Sequence, residues 1–227
     1  MSQAIWALIH AIAHTDRERY LEWFHGVHIP EKLARPGYTW AAHYEHAIEG
    51  APQCSGHVAF FGGESTRVFY DPSPAQLKTR QDALTREMMA CRIDGRSAIY
   101  AEEWCQDGAA GRCERASAVD AAVIRIACID AQGDDEVLEA WCAQEYFAAI
   151  GGAPGCTGVR KWLASSGSPR HGVLQAFTTE ALCMAANEAV QRTPRALEAA
   201  GRMREPFGAA RIARRIWPAR APGGAGR

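Results

Sequence analysis

The sequence predicts an α+β chain in which one β-α-β-β-α-β unit is used twice. Three observations carry this. Trp23, His28, Pro36-Gly37 and Tyr44 in the first half are matched by Trp141, Tyr146, Pro154-Gly155 and Trp162 in the second, every pair 118 residues apart. Self-similarity held without a gap marks a duplicated unit of about half the chain. Short runs at Ile5 to Ala13 and Ala122 to Ile129 are apolar on both faces, as doubly covered strands are. A segment of helical period follows each.

Taken in order, Ile5 to Ala13 reads as the first strand, and His14-Thr15-Asp16 supplies a helix cap. From Asp16 to about His28, Leu21, Phe24 and His28 recur at helical spacing while Arg17, Glu18 and Glu22 lie elsewhere on the wheel. That is an amphipathic helix with histidines on or near its buried face. Pro30 disfavours helical geometry at Ile29, which predicts an end near His28 and a short extra turn through Leu33. Pro36-Gly37 turns the chain into a strand over Tyr38 to Ala47; His57 to Phe61 reads as the third strand, Pro74 to Arg92 as a helix and Ser97 to Cys105 as the fourth strand.

This is the split βαβ order of ferredoxin-like domains. Residues 1–106 form the first unit and are expected to hold the active site, 107–117 a linker, and 118–217 a second unit serving as scaffold. Its strands are expected at Ala122 to Ile129, Cys156 to Leu163, Gly172 to Phe177 and Ala209 to Trp217. Its helices are expected at Asp134 to Ala149 and at Thr179 to Met203, the latter interrupted near Pro194. Residues 218–227 read as a flexible tail. Strands apolar on both faces need helices on one side and a second sheet on the other, so the two units should pack sheet to sheet as an α+β barrel.

Composition narrows the function. Lys+Arg number 25 against Asp+Glu 26, so no overall field draws the chain to nucleic acid or to a membrane. Seven arginines against one glutamate between Arg202 and Arg227 read as a solvated strand edge and tail. No apolar run approaches the roughly 20 residues of a membrane span. The first residues lack a basic leader and a cleavage site, so they read as a strand and not a signal peptide. Eight cysteines without a CxxC pair suggest reduced thiols in a cytoplasmic protein. Only three lysines (Lys32, Lys78, Lys161) accompany the many arginines, a bias read as genomic composition.

Trp23-Phe24 followed by His28-Ile29-Pro30, Pro36-Gly37 and His43-Tyr44 resembles the EthD-like family of dimeric α+β barrel proteins, whose units carry an aromatic pair, a His-x-Pro and a Pro-Gly in this order. The likeness covers Trp6 to Tyr44 and, more weakly, Val123 to Trp162, where Tyr146 replaces the histidine. It implies a protein handling small aromatic or polyketide-like molecules, in a superfamily of decarboxylases, cyclases, dehydratases, monooxygenases and haem-binding enzymes. A homodimer is compatible with it.

Seven of eight histidines fall in the first copy. His28, near a helix carboxyl end, is the expected general acid or base, titrating within reach of neutral pH. Tyr44 is the expected phenolic partner. His10, His25, His43, His57, Trp40 and Tyr100 are candidate pocket residues; strand parity puts His10 with Trp6 and Leu8, His43 with Ala41 and Glu45, and His57 with Ala59 and Phe61. His25 and His28 could face a cation, but without a metalloprotease glutamate no metal is expected, and no cofactor. No dinucleotide-binding glycine loop and no Gly-x-Ser-x-Gly elbow occurs. The expectation is a cofactor-independent lyase-type enzyme acting on an oxygenated small molecule; the alternatives are a noncatalytic binding protein or a haem- or metal-dependent oxygenase.

Overall fold

The computed structural model describes residues 4–115, 117–193 and 201–219. The first half runs β1 (Ala4–Ala13), α1 (His14–Trp23), a π-helical turn (Phe24–His28), α2 (Ile29–Leu33), β2 (Tyr38–Ala47), β3 (Cys54–Gly63), a 3₁₀ turn (Thr66–Phe69), α3 (Pro74–Thr79), α4 (Ala83–Ala90) and β4 (Ile93–Asp107). The second half follows with β5 (Val123–Ala131), α5 (Asp135–Trp141), a π-helical turn (Cys142–Tyr146), α6 (Phe147–Gly151), β6 (Cys156–Ala164), β7 (His171–Phe177), α7 (Glu180–Gln191), β8 (Met203–Arg204) and β9 (Arg211–Trp217).

The 118-residue offset survives in detail. Both π turns have five residues at matched positions, and each closes with an i to i−5 hydrogen bond, Ile29 N–H to Phe24 O and Phe147 N–H to Cys142 O. Ala148 stands where the first half has Pro30, so the proline is not what causes the turn. The wide turn instead carries the helix past Pro30 into α2, where an ordinary helix was expected to stop near His28. At the matched turns, Gly37 and Gly155 take φ of 82° and 76°, backbone that side chains resist.

The first half has strand order β4-β1-β3-β2 and the second β9-β5-β7-β6, all antiparallel. The halves join at both edges, β2 to β9 and β4 to β6, and the eight strands close into a barrel. The α+β barrel of two ferredoxin-like sheets is thus as expected, with the sheets also bonded along their edges. Closure explains why β4 extends to Asp107, beyond the expected fourth strand: residues from Tyr100 onward pair with β6. Pro74 to Arg92 is two helices, not one. A capping box at Ser73 starts α3, and the Asp82 carboxylate accepts from Thr85 N at 2.6 Å to start α4. β8 is an added two-residue strand on β5. The interruption expected near Pro194 lies outside the described residues, as does the tail from residue 220.

Strand alternation sorts the core into three layers. Ile5, Tyr44, Phe60, Tyr100, Ile124 and Trp162 fill the barrel interior. Trp6, Leu8, Tyr20, Trp23, Phe24 and Phe61 pack the first-half helices onto the outside of their sheet, and Leu138, Phe147, Val159 and Phe177 do the same in the second half. All eight cysteines are free. No helix among the described residues is long and apolar enough to cross a membrane.

Candidate active site

His10 and His57 are directly opposed across β1 and β3, and Glu45 faces His57 across β2. The three strand histidines therefore share one face, and it is the outer face, beneath α1 and the π turn. Four of the eight histidines meet there. His25 Nε2 lies 2.8 Å from His43 Nδ1, His43 Nε2 lies 3.2 Å from His57 Nδ1, and His57 Nε2 reaches Ser55 Oγ at 2.9 Å. Glu45, held by Arg17 at 2.5 and 2.7 Å, flanks the end of this row. His10 stacks on His57 at 5.5 Å and meets the Tyr20 hydroxyl through Nε2 at 2.9 Å; Arg92 Nε donates to the same hydroxyl at 2.8 Å.

The π turn separates His25 from His28. Three residues apart on an ordinary helix they would share a face, but the wider turn sends His25 to His43 and stacks its ring on Trp217, while His28 packs on Trp23 at 4.7 Å and Phe24 at 5.4 Å. They do not converge on a cation. Among the described residues no group of three or more His, Cys, Asp or Glu is placed to hold a metal ion.

His28 and His10 line a cleft of about 490 Å³ between the helices and β1 and β4, with Trp6, Lys32 and Arg92. Its buried polar atoms lack partners: Nδ1 of His10, Nδ1 of His28, Nη2 of Arg92 and Nε1 of Trp6 make no hydrogen bond. Buried groups are normally satisfied within the protein, so a cluster of exceptions needs a ligand or a role. Lys32, only 6% exposed, has its ammonium 5.1 Å above the Trp6 ring. Burial, then Arg35 and Arg92, push its pKa down to about 8.

His28 does not titrate near neutrality as expected. Burial outweighs any helix-end effect, and Arg92, Lys32 and Arg35 add to it, taking the imidazole down to about 2. His10 and His43 are held well below the ordinary value, chiefly by burial, and His57 falls to about 4 for the same reason. The imidazoles of this cluster are neutral at physiological pH and work as hydrogen-bonding groups.

The aromatic candidates lie elsewhere. Trp40, Tyr44 and Tyr100 point into the barrel, so His28 and Tyr44 occupy opposite faces of one sheet. The Tyr44 hydroxyl donates to Val119 O and Ala121 O at 3.3 and 3.2 Å, tying the connecting segment to the barrel. The sequence reading missed Lys32 and Arg92. The signal available was positional: Lys32 lies four residues after His28, and two of the chain's three lysines line this one cleft.

In the second half the matched positions are satisfied. Tyr146, at the place of His28, accepts from Gln175 Nε2 at 2.5 Å and Arg125 Nη1 at 3.3 Å. Lys161, at the place of His43, is bonded to Glu103, Glu139 and His171 at 2.8, 2.6 and 2.9 Å. Cavities of about 550 and 360 Å³ border these helices, and one of about 730 Å³ lies along β2 and β9. Size does not distinguish the first-half cleft; its four unpartnered buried polar atoms do, against one, Arg215 Nε, on a residue lining the cavity along β2 and β9.

No protein-family model matches the chain, and no curated protein matches it. Solved structures do. A Fusobacterium nucleatum protein provisionally described as a monooxygenase superposes with a TM-score of 0.59 at 7% identity, covering 94% of this chain and 91% of that one. An anthrone oxidase-like protein gives 0.58 at 12%, with 94% and 90% covered. A chlorite dismutase variant from Candidatus Nitrospira defluvii gives 0.54 at 9%, with 93% and 90% covered. Likenesses this distant in sequence do not single out the EthD-like group; what they establish for this chain is the ferredoxin-like, dimeric α+β barrel fold.

Proposed function

We propose that the chain is an enzyme that moves a proton on a small oxygenated molecule held in the first-half cleft. Lys32 exchanges the proton, and neutral His28 and His10 hydrogen-bond the reacting oxygen. The observation that carries this is that Lys32, His10 and His28 line one cleft and that Nδ1 of each histidine is buried without a hydrogen-bond partner. A lysine poised at about 8 keeps its proton near neutral pH and gives it up readily, as a general acid or base must. Elimination, with loss of a leaving group, decarboxylation, with loss of CO₂, and cyclisation, with closure of a new bond, each include such a transfer, and side chains can perform it. The apolar walls, Trp6, Leu8, Leu77 and Met89, suit an aromatic or polyketide-like body.

The test is exchange of substrate C–H for deuterium in D₂O, followed by NMR over a panel of β-keto acids and acidic phenols. Wild type should exchange at least one of them, and Lys32→Met should slow that exchange by about 100-fold or more. A folded Lys32→Met protein exchanging at the wild-type rate would refute the reading.

A second reading, an oxygenase, begins with the same step, because removing a proton leaves the electron-rich anion that meets dioxygen. The monooxygenase and oxidase descriptions attached to proteins of this fold favour it. Oxygen uptake in the same assay separates the two.

A further inference from the structure

We infer that the ligand of the first-half cleft carries a carboxylate, seated between the guanidinium of Arg92 and the ammonium of Lys32. This rests on the cleft being the reacting site proposed above.

Charge is the first argument. Lys32, Lys78, Arg92 and Arg96 line the cleft, no Asp or Glu does, and among the described residues none of these four makes an ion pair. The acid nearest Lys32 in sequence is Glu31, which is exposed and offsets the burial of the ammonium only in part. Uncompensated cations so close together repel one another, and a buried one is costly unless paired. A bound anion removes both penalties.

Geometry selects the anion. Arg92 is fixed by its Nε bond to Tyr20 and by stacking over the Tyr20 and Phe24 rings at 5.6 and 5.4 Å. Its Nη2 is buried and unpartnered, so the end of a planar fork is left for an acceptor, and carboxylates match that fork with two oxygens. The other walls, Trp6, Leu8, Leu77 and Met89, are apolar and suit a hydrocarbon or aromatic body rather than a small inorganic ion. By contrast, Asp134 and Glu136 line the larger second-half cavity, and Glu205 joins Arg125 in the smaller one.

Benzoate, benzamide and inorganic phosphate are suitable probes for the intact chain. Protein labelled with ¹³C at lysine Cε gives signals from only three lysines, assigned by single Lys→Arg substitutions. Benzoate should bind and raise the Lys32 pKa, while the isosteric but uncharged benzamide should bind at least tenfold more weakly. Arg92→Met should weaken benzoate by tenfold or more and leave benzamide unchanged; should that variant not fold, Arg92→Lys keeps the charge, loses the fork and should still weaken benzoate. Phosphate binding more tightly than benzoate, or benzoate and benzamide binding alike, would overturn the carboxylate assignment without touching the role of Lys32. Conversely, full deuterium exchange by Lys32→Met alongside selective benzoate binding would overturn the catalytic reading and leave this one standing.

Discussion

His43 and His57 stand on neighbouring strands with Nε2 of the first 3.2 Å from Nδ1 of the second, and both rings are buried. Two neutral imidazoles bonded this way cannot choose their tautomers independently. If His57 donates from Nδ1, His43 must accept on Nε2 and donate from Nδ1 to His25. If His43 donates from Nε2, the whole row from His25 to Ser55 reverses. Long-range ¹⁵N–¹H spectra should therefore show the proton on the same nitrogen, δ or ε, in His43 and His57. Opposite tautomers would mean that the bond is not made.

Acid should unfold the protein early. His28 and His57 have folded values of about 2 and about 4, below the ordinary 6.5. As pH falls through 6.5 the unfolded chain takes up protons that the folded chain refuses. Each of these two histidines then costs about 1.4 kcal/mol per pH unit, for His57 until about pH 4 and for His28 until about pH 2. Denaturant midpoints measured from pH 7 to 4.5 should drop steeply, and His57→Gln should flatten the curve. A level profile in wild type would contradict the burial of these rings.

Lys32→Met should stabilise the fold while removing activity. The Lys32 ammonium is disfavoured by burial, so the folded value lies near 8 against 10.5 unfolded, a penalty of up to about 3 kcal/mol that is fully present below pH 8 and fades as pH rises to 10.5. A methionine fills similar space without the charge. Urea titration at pH 7 should show the gain, and at pH 10.5 the two proteins should be nearly equal. Destabilisation at pH 7 would show that Lys32 has a partner.

His28→Gln should keep more activity than His28→Ala. A neutral ring that hydrogen-bonds can be imitated in part by an amide, whereas alanine leaves a hole beside Trp23 and Phe24, a large-to-small change that typically costs 2–5 kcal/mol of stability as well. Equal loss of turnover in two folded variants would instead point to proton transfer by the ring itself.

Gly26→Ala should be tolerated. Gly26 lies within the π turn, and a Cβ built there meets nothing within 4 Å. The expected gain is about 0.5–1 kcal/mol from lower backbone entropy in the unfolded chain. A loss of the His25–His43 bond, read from the histidine spectra, would show that the turn needs glycine.

The duplication, the element order and the neighbours sharing a face with each of His10, His43 and His57 were legible because a strand alternates strictly and the Pro-Gly turns keep register, whereas the coincidence of the three faces on the outside of the sheet needed the strand register itself. Trp40 and Tyr38 show where that logic stops: a bulge between them on β2 puts residues two apart on opposite faces, and no composition signal marks it. The pairing of His28 with Tyr44 failed for a related reason. Order along the chain brings a helix residue and a strand residue near one another, but only the closed barrel decides which side of the sheet each one sees. Lys32 and Arg92 were missed because charge in a sequence carries no sign of burial, and the fates of His25 and His28 diverged because one wide turn rotates everything after it.

The edge pairs β2–β9 and β4–β6 join strands of the same polypeptide. A barrel assembled from separate subunits falls apart when diluted below its dissociation constant, and its stability rises with protein concentration. Here closure is unimolecular, and scarcity cannot open it. The same covalent joining frees the halves from having to be identical, so Tyr146 and Lys161 can take up structural bonds while their counterparts stay neutral and buried, His28 beside the cleft and His43 in the histidine row.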